Sequence, residues 1–500
     1  MHGKTTCAPA GARDELPAGW SLATVGEITL PVTTTSPSEK PDAEFQYLDI
    51  SSIDNQSSLI TNPKTYLGKE APSRARQVVA ENDTLFSTVR TYLKNIAMVP
   101  GILNGQIAST GFAVLRPAPL IEPKFLFHHT LTSGFLNSLG ELQRGTSYPA
   151  VRDEDVRAQT IPLPPTAEQR RIVAKIEELF SELDKGMENL QQARAQLAVY
   201  RQALLKHAFE GKLTADWRKT HAAQLESAAQ LLTCIRTERA LATPKRQAQE
   251  QAPSTQERSA PNGLPEKWVW ASVSDLGRIE TGTTPPTNDP TLYGDRLPFF
   301  KPTDLEQENN VRVARTYLSE RGMDHARLLP AGTTLVTCIG ATIGKTGLAR
   351  LECATNQQIN SISPTDPIVP EFIYYQAIGP SFQDQVKTNA SSTTLPIINK
   401  SKFARLPLAL CSHAEQTEIV RILDQQCSAI SLQEADIETN LQRAEALRQS
   451  ILKKAFAGEL VPQDPADEPA AALLARIRAE REAASKAPTT RKATKQGGRK

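Results

Sequence analysis

The 500-residue chain lacks the cysteine spacings, the long apolar runs and the charge excess that mark several common classes of protein. Its six cysteines include no Cys-x-x-Cys pair, so they predict neither a zinc site nor a disulfide framework. No charged-then-apolar leader is found, and no apolar run approaches the roughly 18 residues of a membrane span. We therefore expect a cytoplasmic protein with no membrane role. The net charge is only +2, so any basic surface for nucleic acid has to be local.

Motifs of catalysis are also lacking. GATIGKT (Gly340–Thr346) resembles a phosphate-binding loop, but only three residues separate its first glycine from Gly-Lys, where four are needed. TVRTYLK, at the equivalent place after Ser87, has no glycine, and no Asp or Asn precedes a Pro-Pro-aromatic sequence. His128 and His129 are adjacent, and neighbours on a helix point apart, so they predict no metal site. A chain of this length without a catalytic cluster favours a binding protein over an enzyme.

What the chain does have is a repeat of about half its length. AEQRRIVAKI, which begins at Ala167, returns as AEQTEIVRIL, which begins at Ala414. In the same way, YRQALLKHAFEGKL, which ends at Leu213, returns as LRQSILKKAFAGEL, which ends at Leu460. Between these matching parts the two copies diverge strongly. A repeat this long exceeds the roughly 20–50 residues of a solenoid unit, so it predicts two whole domains and two connectors. We interpret the divergent interiors as the parts that recognise a ligand through their loops.

Each connector predicts one long helix. Apolar residues recur at steps of three and four, no proline interrupts them, and Gly211 and Gly458 end the two stretches. About 45 residues correspond to roughly 65 Å of helix, and one narrow stripe cannot be buried alone. We therefore predict that the two helices pair as an antiparallel coiled coil with one shared seam. The expected seam residues are Ile172, Ile176, Leu183, Leu190, Leu197, Leu204, Ile419, Leu423, Ile430, Ile437, Leu441 and Ile451, with Leu447 in the same stripe.

The predicted fold class is α+β, with two mixed α/β domains, two long helices and a pseudo-two-fold internal repeat. Strand-like alternation in the first domain (Asp83–Val89) has a counterpart in the second (Thr333–Ile339), and helical spacing follows in both. The expected boundaries are an N-terminal extension (1–15), a first domain (16–160), a helical region with a short following helix (161–243), a flexible linker (244–263), a second domain (264–407), a second helical region (408–461) and a short helix with a basic disordered tail (462–500).

This arrangement resembles the specificity subunit of type I restriction-modification systems. The resemblance is carried by LPAGW at Leu16 and LPEKW at Leu264, which open the two domains, and by PLPPTAEQRRIVAKIEELFSELD from Pro162. Further matches are ALLKHAFEGKLT from Ala203, the second-copy counterparts HAEQTEIVRILD and ILKKAFAGELV, and DEPAAALLARIRAER from Asp467. The similarity covers most of the chain, and the long-helix motif occurs twice at the right separation.

The resemblance implies that each domain is a target recognition domain, which reads one half of a split site in double-stranded DNA. The paired helices are then expected to fix the gap between the halves and to dock two methyltransferase subunits. It also implies that S-adenosylmethionine binds to those subunits, and ATP and magnesium to two restriction/translocase subunits. The complex would serve in bacterial defence. No cofactor, metal or catalytic residue is expected in this chain.

Polar clusters flanked by strand-like runs are the candidate DNA contacts, because Arg, Lys, Asn and Gln read base edges while Lys, Arg and small hydroxyls hold phosphates. In the first domain these are Arg90, Tyr92, Lys94, Asn95, Arg144, Ser147, Tyr148 and Arg152. In the second they are Thr342, Lys345, Asn356, Gln357, Gln358, Ser392, Thr393 and Lys400. Two alternatives stay open: a coiled-coil scaffold without DNA readout, and the specificity subunit of a fused nuclease-methyltransferase system.

Overall fold

The computed structural model describes residues 16–145, 148–242, 263–391 and 395–486. The expected N-terminal extension, the expected linker except for Gly263, and the basic tail after Lys486 lie outside these residues. The chain divides into two compact units: unit 1 comprises residues 1–190 and 439–500, and unit 2 comprises residues 191–438.

The first half of the chain contains twelve strands among its described residues. They are β1 (Ser21–Thr24), β2 (Thr29–Leu30), β3 (Glu44–Leu48), β4 (Ile53–Asp54), β5 (Leu59–Ile60), β6 (Lys64–Leu67), β7 (Ala75–Val78), β8 (Thr84–Ser87), β9 (Ile96–Met98), β10 (Ile107–Ser109), β11 (Phe112–Pro117) and β12 (Thr160–Leu163). Its helices are α1 (Pro123–Thr130), α2 (Ser133–Glu141), α3 (Asp153–Arg157), α4 (Thr166–Phe209), α5 (Ala215–His221) and α6 (Ala228–Ala242).

The second half repeats this order with ten described strands. They are β13 (Val269–Ser272), β14 (Gly277–Thr281), β15 (Tyr293–Gly294), β16 (Leu297–Phe300), β17 (Tyr317–Leu318), β18 (Thr334–Thr337), β19 (Thr346–Leu348), β20 (Ala354–Thr355), β21 (Ile359–Pro364) and β22 (Pro407–Leu410). Its helices are α7 (Val273–Leu276), α8 (Glu320–Met323), α9 (Pro370–Ile378), α10 (Pro380–Asn389), α11 (Lys400–Ala404), α12 (His413–Phe456) and α13 (Ala470–Lys486).

Both domains have the same sheet plan, which confirms the predicted α+β class and the internal repeat. Unit 1 has four-stranded sheets in the orders β2-β11-β8-β9 and β6-β3-β10-β7, and unit 2 has β14-β21-β18-β19 and β15-β17-β16-β20. The pairs β3/β10 and β16/β20 are parallel, whereas the other named neighbours in these sheets are antiparallel. The divergent interiors therefore share one framework.

In each domain the first strand pairs with the last strand. Strand β1 pairs antiparallel with β12, and β13 pairs antiparallel with β22. The exit strand β12 runs to Leu163, three residues past the boundary at 160 that the sequence suggests. The chain therefore enters and leaves each domain through one two-stranded ladder, directly before a long helix.

The long helices α4 and α12 each contain 44 residues and end just before Gly211 and Gly458. These glycines have φ values of +70° and +76°, the left-handed conformation that commonly ends a helix. The caps and lengths agree with the sequence prediction.

In each unit the two helices pair through apolar side chains. In unit 1, Ile172 and Ile176 share a core with Ile451, and Leu183 packs against it. In unit 2, Leu204 shares a core with Ile419, Leu423 and Ile430, and Leu197 packs against that core. Ile437 is buried, whereas Leu190 and Leu441 are half-buried.

Charged pairs between the two helices show that their register is antiparallel. Arg448 pairs with Asp184 in unit 1, and Arg194 lies 3.3 Å from Glu438 in unit 2. As one member of each pair advances along α4, its partner retreats along α12. The predicted antiparallel coiled coil is confirmed.

Ile172 and Ile419 line the cores of different units, as the predicted antiparallel pairing requires. This pairing brings the beginning of each helix to the end of the other. One detail of the predicted seam is wrong. Leu447 is 49% exposed, and the stripe instead passes through the buried Ala444 and the half-buried Arg448, whose guanidinium lies over the Phe180 ring. The step from Ala444 to Arg448 keeps the helical spacing, and Leu447 points outside it.

A buried tryptophan–glutamate hydrogen bond joins each domain to its own long helix. Trp20 Nε1 donates to Glu168 Oε2 at 3.0 Å, and Trp268 Nε1 donates to Glu415 Oε2 at 2.9 Å. Burial raises the pKa of Glu168, although the indole donor and Gln463 act in the opposite direction. Both carboxylates lie in the first helical turn, where the helix dipole favours negative charge.

The end of each connector packs against the other copy's domain. Gly458 leaves room for Pro17, and the Ala470 amide donates to Gly19 O at 2.9 Å in unit 1. In unit 2, Gly211 leaves room for Pro265 in the same way. Helices α13 and α6 thereby cap the domains of units 1 and 2.

Candidate nucleic-acid interface

A loop and a hairpin meet at the end of strand β8 in unit 1. We call residues 88–95 the β8 loop, and residues 144, 145 and 148–150 the unit 1 hairpin. The Arg90 amide donates to Pro149 O at 2.7 Å, which fixes the two segments side by side. Candidates that are far apart in sequence are thereby brought to one surface.

The β8 loop and the unit 1 hairpin together form a surface with basic and aromatic side chains. The Arg90 guanidinium lies over the Tyr148 ring, 4.7 Å from its centroid, and Tyr148 is 71% exposed. Tyr92 is 61% exposed, and Arg144 is also exposed. Lys94 is half-buried. Such rings and guanidinium groups provide stacking faces and hydrogen-bond donors that suit nucleic acid.

Two further unit 1 candidates lie at the edges of this surface. Asn95 is half-buried, and its carbonyl oxygen accepts a hydrogen bond from the Ser87 amide at 3.1 Å. Arg152 is exposed and precedes α3, where its amide donates to Asp155 Oδ2 at 2.8 Å. Ser147 lies outside the described residues.

Unit 2 builds the same loop-and-hairpin framework. We call residues 338–345 the β18 loop, and residues 391 and 395–397 the unit 2 hairpin. The Gly340 amide donates to Pro396 O at 3.0 Å, as Arg90 donates to Pro149 in unit 1. The framework is therefore common to both copies, whereas the side chains on it differ.

The β18 loop has less free charge than its sequence suggests. Thr342 is exposed, but Lys345 is half-buried and its Nζ lies 3.1 Å from Glu306 Oε1. Because that ion pair neutralises the ammonium group, Lys345 is poorly placed to hold a phosphate. The acidic partner lies 39 positions away in sequence, so local motif reading could not have found it.

The amide cluster of unit 2 (Asn356, Gln357 and Gln358) lies beside the glycine turn of the β18 loop. Asn356 is buried and donates through Nδ2 to Gln358 Oε1 at 2.8 Å. Gln357 is exposed and accepts from the hydroxyl of Thr284. The Nε2 atom of Gln358 lies 3.8 Å from the Cβ position of Gly340, which brings this cluster beside the β18 loop. Of the three amides, Gln357 is the most accessible to a ligand.

Lys400, the last candidate, is exposed and begins α11. Ser392 and Thr393 lie outside the described residues. A positioning residue that the sequence did not indicate is Gln383 of α10, whose Nε2 donates to Gly344 O at 2.8 Å. Its long separation from the turn explains why no sequence pattern pointed to it.

Other kinds of site find little support in the described residues. Gly340–Thr346 leads into strand β19 and not into the helix that a phosphate-binding loop requires. No group of three or more His, Cys, Asp or Glu side chains in the described part of the chain could hold a metal ion. Within those same residues, no helix is both long and apolar enough to cross a membrane.

The family model of the type I restriction modification DNA specificity domain matches this chain twice, at residues 25–192 and 265–443. The chain belongs to this family. Each match covers one divergent domain and part of the long helix that follows it. The resemblance inferred from the sequence is therefore confirmed, and with it the expectation that the partners are DNA and the other subunits of a complex.

Particular relatives agree along most of the chain. The HindI specificity subunit of Haemophilus influenzae is 26% identical over 423 residues, which cover 78% of this chain and 89% of that protein. A chain in a solved structure that concerns complex assembly and conformational transition of the type I R-M system is 30% identical, with a TM-score of 0.69 and coverage of 89% of this chain and 99% of that chain. The specificity subunit structure from Thermoanaerobacter tengcongensis is 31% identical, with a TM-score of 0.50 and coverage of 89% and 98%.

Proposed function

We propose that each unit reads one half of a bipartite DNA target through its loop-and-hairpin surface. The observation that carries the proposal is the construction of the same framework twice with different side chains. Arg90 and Tyr148 in unit 1 stand where unit 2 has Gly340 and Leu395. Two frameworks with unlike side chains suit two unlike half-sites, because base edges are read by side-chain type.

The local charge supports DNA as the ligand. Residues 88–95 and 144–152 contain Arg90, Lys94, Arg144 and Arg152 and no acidic residue, although the whole chain carries only +2. Residues 338–345 and 389–400 also contain no acidic residue, and of their two lysines Lys400 is exposed, whereas Lys345 is paired with Glu306. The logarithm of the affinity falls as the logarithm of the salt concentration rises, and each phosphate that a basic side chain neutralises makes this slope more negative by about 0.9. We therefore expect salt-dependent binding.

We further propose that the paired helices set the gap between the half-sites and dock two methyltransferase subunits. A rod of about 45 residues spans roughly 65 Å, compared with about 34 Å for one turn of DNA. In this proposal the chain performs no catalysis. S-adenosylmethionine belongs to the methyltransferase subunits, and ATP and magnesium belong to two restriction/translocase subunits.

The test is to express the chain with its methyltransferase partner and to map adenine methylation across cellular DNA. A split methylated motif is expected. Replacing residues 25–159 with the equivalent region of another family member should change one half of the motif and leave the other half and the gap unchanged. A complex that methylates without sequence preference, or that assembles without binding DNA, would instead support the scaffold alternative.

A further inference from the structure

Two basic residues of the β8 loop have a backbone conformation that favours glycine. Arg90 has a φ of +50° and Lys94 a φ of +53°. At the equivalent positions of the β18 loop, unit 2 has Gly340 and Gly344, with φ values of +99° and +89°. The turn thus needs two left-handed residues, and only the second copy fills them with the residue that adopts this conformation without steric cost.

The equivalence of these positions follows from matching hydrogen bonds. The Ser87 amide donates to Asn95 O at 3.1 Å, and the Thr337 amide donates to Lys345 O at 2.8 Å. Inside the loops, the Leu93 amide donates to Arg90 O, as that of Ile343 donates to Gly340 O. The left-handed residues are therefore the same two points of one turn.

Side chains at such positions need a reason other than folding. Glycine supports the turn in unit 2, so the framework itself does not require Arg90 or Lys94. A left-handed conformation in a non-glycine residue is disfavoured, and such residues concentrate where a side chain has a functional role. Here both residues are basic, and both lie on the surface that carries Tyr92 and Tyr148.

The contacts of Arg90 fix its direction. Its amide is bound to Pro149 O, and its guanidinium stacks on the exposed Tyr148 ring. A planar guanidinium held against an aromatic face keeps a fixed fork of donors, which matches the O6 and N7 acceptors of guanine in the major groove. A lysine at this place would supply the charge without that fork.

We propose that Arg90 reads a guanine in the half-site bound by unit 1, with Tyr148 as its positioning residue and Lys94 on a neighbouring phosphate. This inference rests on the proposed function and assigns the chemistry of one half-site. In unit 2 the equivalent position is Gly340, which has no side chain to contact a base. A guanine contacted from this position of the turn is therefore expected in the half-site of unit 1 only.

The experiment uses the full chain in complex with its methyltransferase partner. Arg90→Gly and Arg90→Lys are compared with Leu120→Gly, a control that also replaces a left-handed residue of unit 1 (φ +72°), although Leu120 is exposed and Arg90 is half-buried. For each variant, the methylated motif, the affinity for duplexes changed at single base pairs, and the melting temperature are measured.

Arg90→Gly is expected to melt at or above the wild-type temperature, because glycine relieves the left-handed backbone. It should also lose about 5- to 150-fold of the discrimination at one G·C pair, as expected for a bidentate arginine contact. Arg90→Lys should keep the fold and lose the same discrimination. Leu120→Gly should leave the motif unchanged, and Lys94→Gly should weaken binding to all sequences about equally.

The inference is overturned if the wild-type complex recognises a split motif and Arg90→Lys retains every base preference within twofold. It is also overturned if Arg90→Gly alters the half-site read by unit 2. If the wild-type complex shows no split motif, the proposed function itself fails. Should Arg90→Gly not fold, Arg90→Lys still decides the matter, since it preserves the charge and most of the side-chain length.

Discussion

Replacing Arg218 with methionine should destabilise unit 2 strongly. Arg218 Nε donates to Glu415 Oε1 at 2.8 Å, and the two side chains are 16% and 2% exposed. Removing one partner of a buried ion pair leaves an uncompensated charge, which costs about 3–5 kcal/mol. Thr214 and Trp268 still donate to Glu415, so we expect about 3 kcal/mol, near the lower limit of this range.

The measurement is thermal unfolding by calorimetry. For a unit of this size, about 3 kcal/mol corresponds to a decrease of roughly 6–12 °C in melting temperature. Arg194→Met is the matched control, because its pair with Glu438 is solvent-exposed and should contribute less than about 1 kcal/mol. Adding Glu415→Gln to Arg218→Met should recover part of the loss. A single variant that melts within about 2 °C of wild type, or a double variant no better than the single, would refute this reasoning.

Three further predictions concern the helices and the core of unit 1. Burial lowers the pKa of both His128 and His129 to about 4, so unfolded chains bind more protons than folded ones between about pH 6.5 and pH 4. The free energy of unfolding of unit 1 should therefore fall by up to about 3 kcal/mol per histidine as the pH falls through that window. Between pH 7 and pH 4.5, the melting temperature of His128→Leu should fall by less than that of the wild type. An equal fall in the two proteins would contradict this. Ile176→Ala, at a fully buried seam position, should lower the free energy of unfolding by about 2–5 kcal/mol in denaturant titrations, whereas Leu447→Ala should change it by less than about 1 kcal/mol. Equal effects would show that the seam is misplaced. Deleting residues 190–196 together with 436–442 removes one heptad, about 10 Å, from each long helix. Methylation mapping should then find a gap between the half-sites that is shorter by at most about three base pairs, with both half-sequences unchanged. Altered half-sequences with an unchanged gap would contradict the proposal that the paired helices set the gap.

The helices were predictable because their signals are local. Ile172 and Ile176 follow helical spacing, and glycine stands directly after each helix, so the sequence alone indicated elements, ends and pairing. The repeat also indicated that the two long helices pair antiparallel, because the chain leaves the first helix, forms a domain and returns in the second helix. The exposed Leu447 shows the limit of this reasoning, since spacing cannot tell which of two adjacent stripes faces the partner once Arg448 spreads over an aromatic ring.

The candidate interface was less predictable because its geometry depends on distant residues. The sequence indicated that the β8 and β18 loops are equivalent, and it named Arg90 and Tyr148 separately. It could not indicate that they stack, since this depends on the bond from Arg90 to Pro149. Nor could it show that Lys345 is held by Glu306. The left-handed backbone of Arg90 is seen only in the structure, and the sequence points to it only through Gly340 and Gly344 at the equivalent positions of the second copy.

The ladders β1/β12 and β13/β22 have a consequence for how such proteins diversify. Because each domain begins and ends at a single place, genetic recombination between relatives that cuts near these strands would transfer a whole reading module with both of its junctions intact. The hydrogen bonds Trp20–Glu168 and Trp268–Glu415, which recur in the two copies, lie beside those junctions, so a newly acquired module with the same tryptophan would form the same contact with the long helix. If each module reads one half-site, as proposed, recombination would exchange half-sites independently, and a small number of modules would generate many DNA specificities.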